Sequence, residues 1–252
     1  MSPIVGHPDL RRNLLTMKAL TQAARAICYS CAHALDMSRA TEGDERRHWQ
    51  DRAGLLTPLA KAFPTDVGVE VASLGIQIHG GMGFIEETGA AGFYRDARIA
   101  PIYEGTNGIQ AIDLVMRKLP LGGGEHVLGL IGETRGEVEA LRASNLPGFG
   151  HTAGHLERAI DELKEATRFM QRAQADGRVS EALAGATPYL RLFSLVVGTA
   201  LTARGARTAG DAAEIALCRF FAENLLPESS ALTDRVLNGA ASLNDAAAAI
   251  LG

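Results

Sequence analysis

Behind a proline at position 8, Leu10, Leu14, Met17, Thr21, Ala24, Cys28, Cys31 and Leu35 follow one another at alternating steps of four and three. That is the period of one face of an α-helix, and proline is favoured at a first helical position, where its missing N–H has no partner to lose. The run predicts one long amphipathic helix, with Arg11, Arg12, Lys18, Gln22 and Arg25 mainly off the packed stripe. The same steps recur in Leu156, Ile160, Leu163, Thr167 and Met170, and in Leu190, Phe193 and Val197, with Leu183 one seven-residue step before them. The fold class expected is all-α. Aromatic residues make up only 5% of the chain, which disfavours a β-sandwich or barrel, and 46% hydrophobic residues over 252 positions can fill a core. No repeat with a period of about 20 to 50 residues recurs, which argues against a solenoid.

The remaining segments are expected to run as follows. Residues 41–44 form a polar break, and a second helix extends from about 45 to 63, bent near Pro58, before Pro64 restarts the chain. Val67, Val69, Val71, Leu74, Ile76 and Ile78 alternate locally like a strand, but a lone strand would have no partner, so a helix is expected. Gly80, Gly81 and Gly83 stop it, a short helix spans about 88 to 98, and helical spacing resumes from Ile109 to Leu119. Gly122, Gly123 and Gly124 follow Pro120 and mark the clearest boundary, dividing the chain into units 1–121 and 122–252. Beyond it, helices are expected at about 124–143, 152–176, 180–203 and 211–225, with a last short one near the C-terminus.

With 25 basic and 29 acidic residues, the net charge of −4 carries no footprint for nucleic acid or an anionic membrane. Three cysteines are too few for a disulfide framework and point to a reducing compartment. The longest apolar stretch, from Phe193 to Ala203, is broken by Ser194, Gly198, Thr199 and Thr202 and is far short of a membrane span. The first residues have neither the pattern of a secretory signal nor that of a transit segment, so a cytoplasmic location is expected.

The chemistry concentrates between positions 75 and 110. Gly75-Ile76-Gln77-Ile78-His79-Gly80-Gly81-Met82-Gly83 is followed by Phe93-Tyr94-Arg95-Asp96, then by Ile102-Tyr103-Glu104-Gly105-Thr106-Asn107-Gly108-Ile109-Gln110. This ordered set resembles the C-terminal helical domain of the acyl-CoA dehydrogenases. The likeness reaches back to His7-Pro8-Asp9-Leu10-Arg11-Arg12 and covers most of residues 4–119. Downstream of Gly124 the chain is similar to the helical extension of the branch that includes methylthiopropanoyl-CoA and long-chain-type enzymes. The resemblance implies an up-and-down helical bundle followed by a second helical subdomain.

Removing a proton beside a thioester needs a carboxylate within reach of that carbon, with its pKa raised by burial. Glu104 is the candidate. It precedes a helix, and Gly105 beside it has no side chain to obstruct a substrate. The resemblance implies that Glu104 is the catalytic base taking the α-proton as a β-hydride leaves for the flavin. It also implies that Gln77, Ile78, His79, Gly80 and Gly81 contact FAD, partly across a subunit interface, that Thr106 makes a second contact, and that Gly105 lines the substrate. Gly108 stands where many relatives carry a polar flavin-contacting side chain. Read without their neighbours, Glu104 is equally an acidic residue favoured at a helix N-terminus, and the glycines are equally a helix end that needs a left-handed turn.

Arg95 and Asp96 read as a structural ion pair. His79 beside a glycine turn reads as a packing residue or a donor to a carbonyl. Cys28 and Cys31 have metal or redox spacing but no second pair, and lie on the apolar stripe as small buried hydrophobes. The other histidines form no ligand set, and no metal is expected. By resemblance, the N-terminal and middle domains of the family lie outside this chain, which is therefore expected to be inactive alone. The partners implied are an acyl-CoA substrate, a homo-oligomer or a polypeptide supplying those domains, and an electron-transfer flavoprotein as acceptor. The alternative is a non-catalytic helical remnant or assembly module that exposes an apolar patch and self-associates.

Overall fold

A computed structural model describes residues 3–251, which are helical with no strand among them. Helix α1 (Pro8–Ala40) lies against α2 (Gly43–Ile78), and the two run 33 and 36 residues. The short helices α3 (Gly81–Phe84), α4 (Ala90–Ala97) and α5 (Asn107–Asp113) follow. A π-helical turn over Leu114–Lys118 closes with the Leu119 amide donating to the Leu114 carbonyl at 2.9 Å. Then come α6 (Glu125–Ala143), α7 (Thr152–Ala175), α8 (Val179–Ala184), α9 (Ala186–Ala209), α10 (Ala212–Asn224) and α11 (Glu228–Ile250).

The anticipated break at Pro64 does not occur: α2 passes through both Pro58 and Pro64. Proline denies the carbonyl four residues earlier its usual N–H partner, so Pro64 orphans Ala60. The Cys28 thiol of α1 approaches the Ala60 carbonyl at 3.6 Å, and the Asn107 amide donates to the neighbouring Ala62 carbonyl at 3.1 Å. The Cys28 contact thus meets the carbonyl that Pro64 leaves free, and the Asn107 contact adds a tie from α5 to the same stretch of α2. Cys28 is exposed rather than buried, whereas Cys31 is buried as expected. Residues 67–78 are helical, although they alternate like a strand.

Helix α9 organises the core. Residues 192–200 are buried without interruption, and the helix packs on α1, α2, α5, α6, α7, α10 and α11. Its polar residues are satisfied internally: Ser194 Oγ donates to the Leu190 carbonyl at 2.9 Å and Thr199 Oγ1 to Leu195 at 2.7 Å. Gly198 lets α1 come close, because a Cβ there would meet the Ala23 Cβ at 3.0 Å. Tyr189 is fully buried, with its hydroxyl 2.8 Å from Thr167 Oγ1, and burial pushes its pKa up. Leu20, Ile27, Leu59, Phe63, Leu114, Leu119, Leu156 and Phe193 belong to one apolar cluster that runs through both sides of the glycine boundary. Arg191 adds a polar tie, meeting Glu70 of α2 at 3.2 Å and Glu228 of α11 at 3.1 Å.

Three further expectations change. The helix expected from 180 to 203 is two, α8 and α9, divided at Gly185, where a Cβ would lie 2.7 Å from Met170 Cε and 3.3 Å from the Val236 carbonyl oxygen. The last helix is long, at 23 residues. Arg95 pairs with Glu86 at 2.7 Å, which ties α4 to the turn before it; no pair with Asp96 forms. No helix among the described residues is long and apolar enough to cross a membrane.

Candidate active site

The loop between α4 and α5 carries Glu104, and its backbone is held at several points. The Asn107 amide donates to the Pro101 carbonyl at 3.0 Å, closing the loop on itself. Thr106 caps α5, its Oγ1 accepting from the Ile109 amide at 3.4 Å, as the N-cap preference of threonine requires. Gln110 Nε2 reaches back to the Glu104 carbonyl at 3.3 Å. Asn107 then fastens the loop to α2: its side-chain amide donates to Asp66 Oδ1 at 2.7 Å and to Thr65 Oγ1 at 2.9 Å, and its Oδ1 accepts from Lys61 Nζ at 2.8 Å.

Within this frame Glu104 has φ +57° and Gly105 has φ +81°. Glycine adopts that region freely, but a glutamate there pays about 1–2 kcal/mol of steric strain. Such a conformation persists where the surroundings over-determine it, and it concentrates at functional positions. Glu104, Gly105 and Thr106 are all exposed. The burial expected around the carboxylate is therefore not provided by the described residues of this chain. A Cβ on Gly105 would meet Gln110 Nε2 at 3.2 Å, so glycine also leaves room for the bond that holds the loop.

The second predicted segment sits at the C-terminal end of α2. Gln77 and His79 are exposed, Ile78 is half-buried, and Gly80 turns the chain with φ +60°. His79 Nδ1 lies 2.7 Å from the Gly75 carbonyl, the carbonyl contact anticipated for it. A Cβ on Gly80 or Gly81 would meet nothing within 4 Å, which leaves this backbone open to a neighbouring group. Gly83 is different: a Cβ there would come within 2.2 Å of the Ile76 carbonyl oxygen, so only glycine allows α3 to fold back on α2.

The structure does not bring the two segments into one cleft. Thr106 lines a groove of about 660 Å³ with Asn107, Gly108, Tyr94, Arg98, Asp66 and Glu70. His79 lines another, of about 400 Å³ and mostly apolar, with Met17, Val71, Gly75 and Phe93. No hydrogen bond among the described residues joins 77–81 to 104–106. The surface around both is apolar: Phe84 is 80% exposed, Phe93 74% and Tyr103 56%. The residues that sequence reasoning passed over are Lys61, Thr65 and Asp66. Their helical spacing marks them only as a polar edge of α2, and nothing local to them announces a loop forty residues later.

Residues 1–119 match the family described as acyl-CoA dehydrogenase, C-terminal domain, and residues 130–247 match acetyl-CoA dehydrogenase C-terminal like. The 3-methylmercaptopropionyl-CoA dehydrogenase of Ruegeria pomeroyi is 39% identical over 260 residues, spanning 96% of this chain and 42% of that protein. A butyryl-CoA dehydrogenase of Syntrophomonas wolfei is 41% identical over 124 residues, 48% of this chain and 20% of its own length. Among solved structures, an acyl-CoA dehydrogenase of Bacillus anthracis complexed with FAD aligns with TM-score 0.72 at 20% identity, over 95% of this chain and 43% of that one. ACDH-11 of Caenorhabditis elegans, in complex with C11-CoA, aligns with TM-score 0.71 at 20% identity, over 90% and 39%. The chain thus spans less than half the length of these relatives, and the two structural likenesses speak to the fold. By the two matched segments and the relative that spans nearly all of it, this chain belongs to the acyl-CoA dehydrogenase family and carries its C-terminal helical region.

Proposed function

We propose that this chain is the base-bearing C-terminal part of an FAD-dependent acyl-CoA dehydrogenase that oxidises the α,β-bond of an acyl-CoA thioester. The observation that carries the reading is Glu104 itself, an exposed carboxylate at φ +57° on a loop fastened by Gln110 and Asn107. A carboxylate carried on a fixed backbone can accept the α-proton as it becomes acidic beside the thioester, and Gly105 leaves the approach free of a side chain. Bound FAD supplies the acceptor for the β-hydrogen and its electron pair.

The residues at the candidate flavin contacts suit such a group. Gln77 makes no side-chain hydrogen bond to the described residues, and Gly80 and Gly81 present open backbone. Thr106 uses its oxygen as an acceptor in capping, which leaves its hydroxyl hydrogen free to donate. Ile78 and His79 complete that contact set. Because the two segments line separate grooves, we read them as contacting flavin from different sides of an oligomer, either a homo-oligomer or a complex with a polypeptide supplying the family's other domains. In the same reading, 1–121 is the bundle proper and 122–252 its helical extension. The assembly works in the cytoplasm and passes electrons to an electron-transfer flavoprotein.

Co-purification with a polypeptide carrying the family's N-terminal and middle domains, followed by FAD titration and anaerobic reduction by acyl-CoA substrates of graded length, tests this. The expected result is stoichiometric FAD in the complex, bleaching by substrate, and at least a 100-fold slower bleaching in Glu104→Gln with FAD content unchanged. Equal bleaching by Glu104→Gln would remove the base. A chain that takes up no FAD in any such complex and only self-associates would instead be the assembly module.

A further inference from the structure

Away from the candidate active site, a groove of about 660 Å³ opens where the glycine boundary meets α7. Pro120 and Ala175 give it an exposed apolar wall over the buried Leu119, and Arg168 and Arg172 stand at its edge. These arginines are one helical turn apart on α7, and both are exposed. Among the described residues neither lies within ion-pair distance of a carboxylate, and no carboxylate lines the groove. The contrast with their surroundings is sharp. Arg135 and Arg142 of α6 are paired with Glu157 and Asp161 on α7, and Arg178 just beyond α7 is paired with Asp176 and Glu181.

The floor of the groove is fixed. Gln174 Nε2 donates to the Val115 carbonyl at 2.9 Å, and Gln171 Nε2 approaches the Gly124 carbonyl at 3.5 Å. Gly124 has φ +91°, and a Cβ there would collide with Gln171 Nε2 at 2.4 Å. Gly123, at φ +68°, would meet nothing with its Cβ, so its backbone faces open space. A glycine loop shaped to this amide, an apolar wall, and two uncompensated guanidinium forks have a common complement: an anion with several acceptor oxygens joined to an apolar body.

We propose that the groove between the Gly122–Gly124 loop and Arg168/Arg172 binds an organic phosphate, with the phosphate held by the two arginines and the apolar portion lying on Pro120 and Ala175. Both parts are required: the charge gives affinity and the wall selects against free phosphate. The site is independent of Glu104 and of the flavin reading.

Titration of the 15N-labelled 252-residue chain with hexyl phosphate, inorganic phosphate and hexanol tests it. Hexyl phosphate is expected to saturate, to move the Gly123 and Gly124 amide resonances, and to bind at least 10-fold more tightly than either inorganic phosphate or hexanol. Arg168→Gln/Arg172→Gln should weaken hexyl phosphate at least 10-fold. Arg158→Gln, a change to another exposed arginine of the same helix, should not. No saturation at millimolar hexyl phosphate, undiminished affinity in the double variant, or an equal loss in Arg158→Gln overturns the site. Inorganic phosphate binding as tightly as hexyl phosphate overturns the assignment of an organic ligand.

Discussion

Glu104 occupies backbone geometry that suits glycine better than itself. Glu104→Gly should therefore be at least as stable as the parent chain, while Glu104→Val, β-branched at the same φ, should lose about 1–2 kcal/mol in a urea melt. Equal stability of all three would mean that the loop relaxes and holds no strain. A second residue sets a pH limit. Burial, with Glu137 and Glu214 nearby, pushes the Cys218 thiol up to about 12 from an ordinary 9.0. The unfolded thiol ionises above pH 9 while the folded one stays protonated, so the associated stability is present below pH 9 and is lost as pH rises toward 12. The loss is about 1.4 kcal/mol per pH unit in that window. Cys218→Ala should flatten the alkaline arm of the stability profile by about that slope, as measured by urea melts from pH 8 to 10.5.

At the scale of elements, the seam between α2 and the Glu104 loop depends on Asn107, which bonds Lys61, Thr65, Asp66 and the Ala62 carbonyl. Asn107→Ala should cost about 1–3 kcal/mol and raise amide exchange across residues 101–107 more than in α9. Unchanged exchange there would show that Thr106 and Gln110 suffice. The same seam shows what the sequence does and does not disclose. The periods of α1 and α7 are local and place those helices within a few residues of where they stand. Pro64 reads as a break because the group that meets its orphaned Ala60 carbonyl, Cys28 on α1, lies far away in the chain. Gly185 escapes notice for a related reason, since what forbids a side chain there belongs to α7 and α11. The candidate base and the open glycines are legible as a motif; their separation into two grooves is a property of packing alone.

Across the whole molecule, one buried cluster crosses the glycine boundary, and α9 touches helices on both sides of it. The two segments should unfold together. Trp49, the only tryptophan, reports from α2, while far-UV circular dichroism reports from every helix. Their urea transitions should coincide, and a fluorescence midpoint separated from the dichroism midpoint would mean that the extension melts by itself. Helix α2 carries a further consequence. Its rise fixes Asp66, which grips the base loop, and Ile78, at the threshold of the open glycines, at about 18 Å along one rod. The rod works as a ruler with a rotational scale as well as a linear one. One residue inserted between 67 and 76 would swing the glycine turn about 100° around the axis while leaving the Glu104 loop where it is. Length variation should therefore be tolerated in the exposed last turns of α11 and refused in this stretch of α2, however well the inserted residue suits a helix.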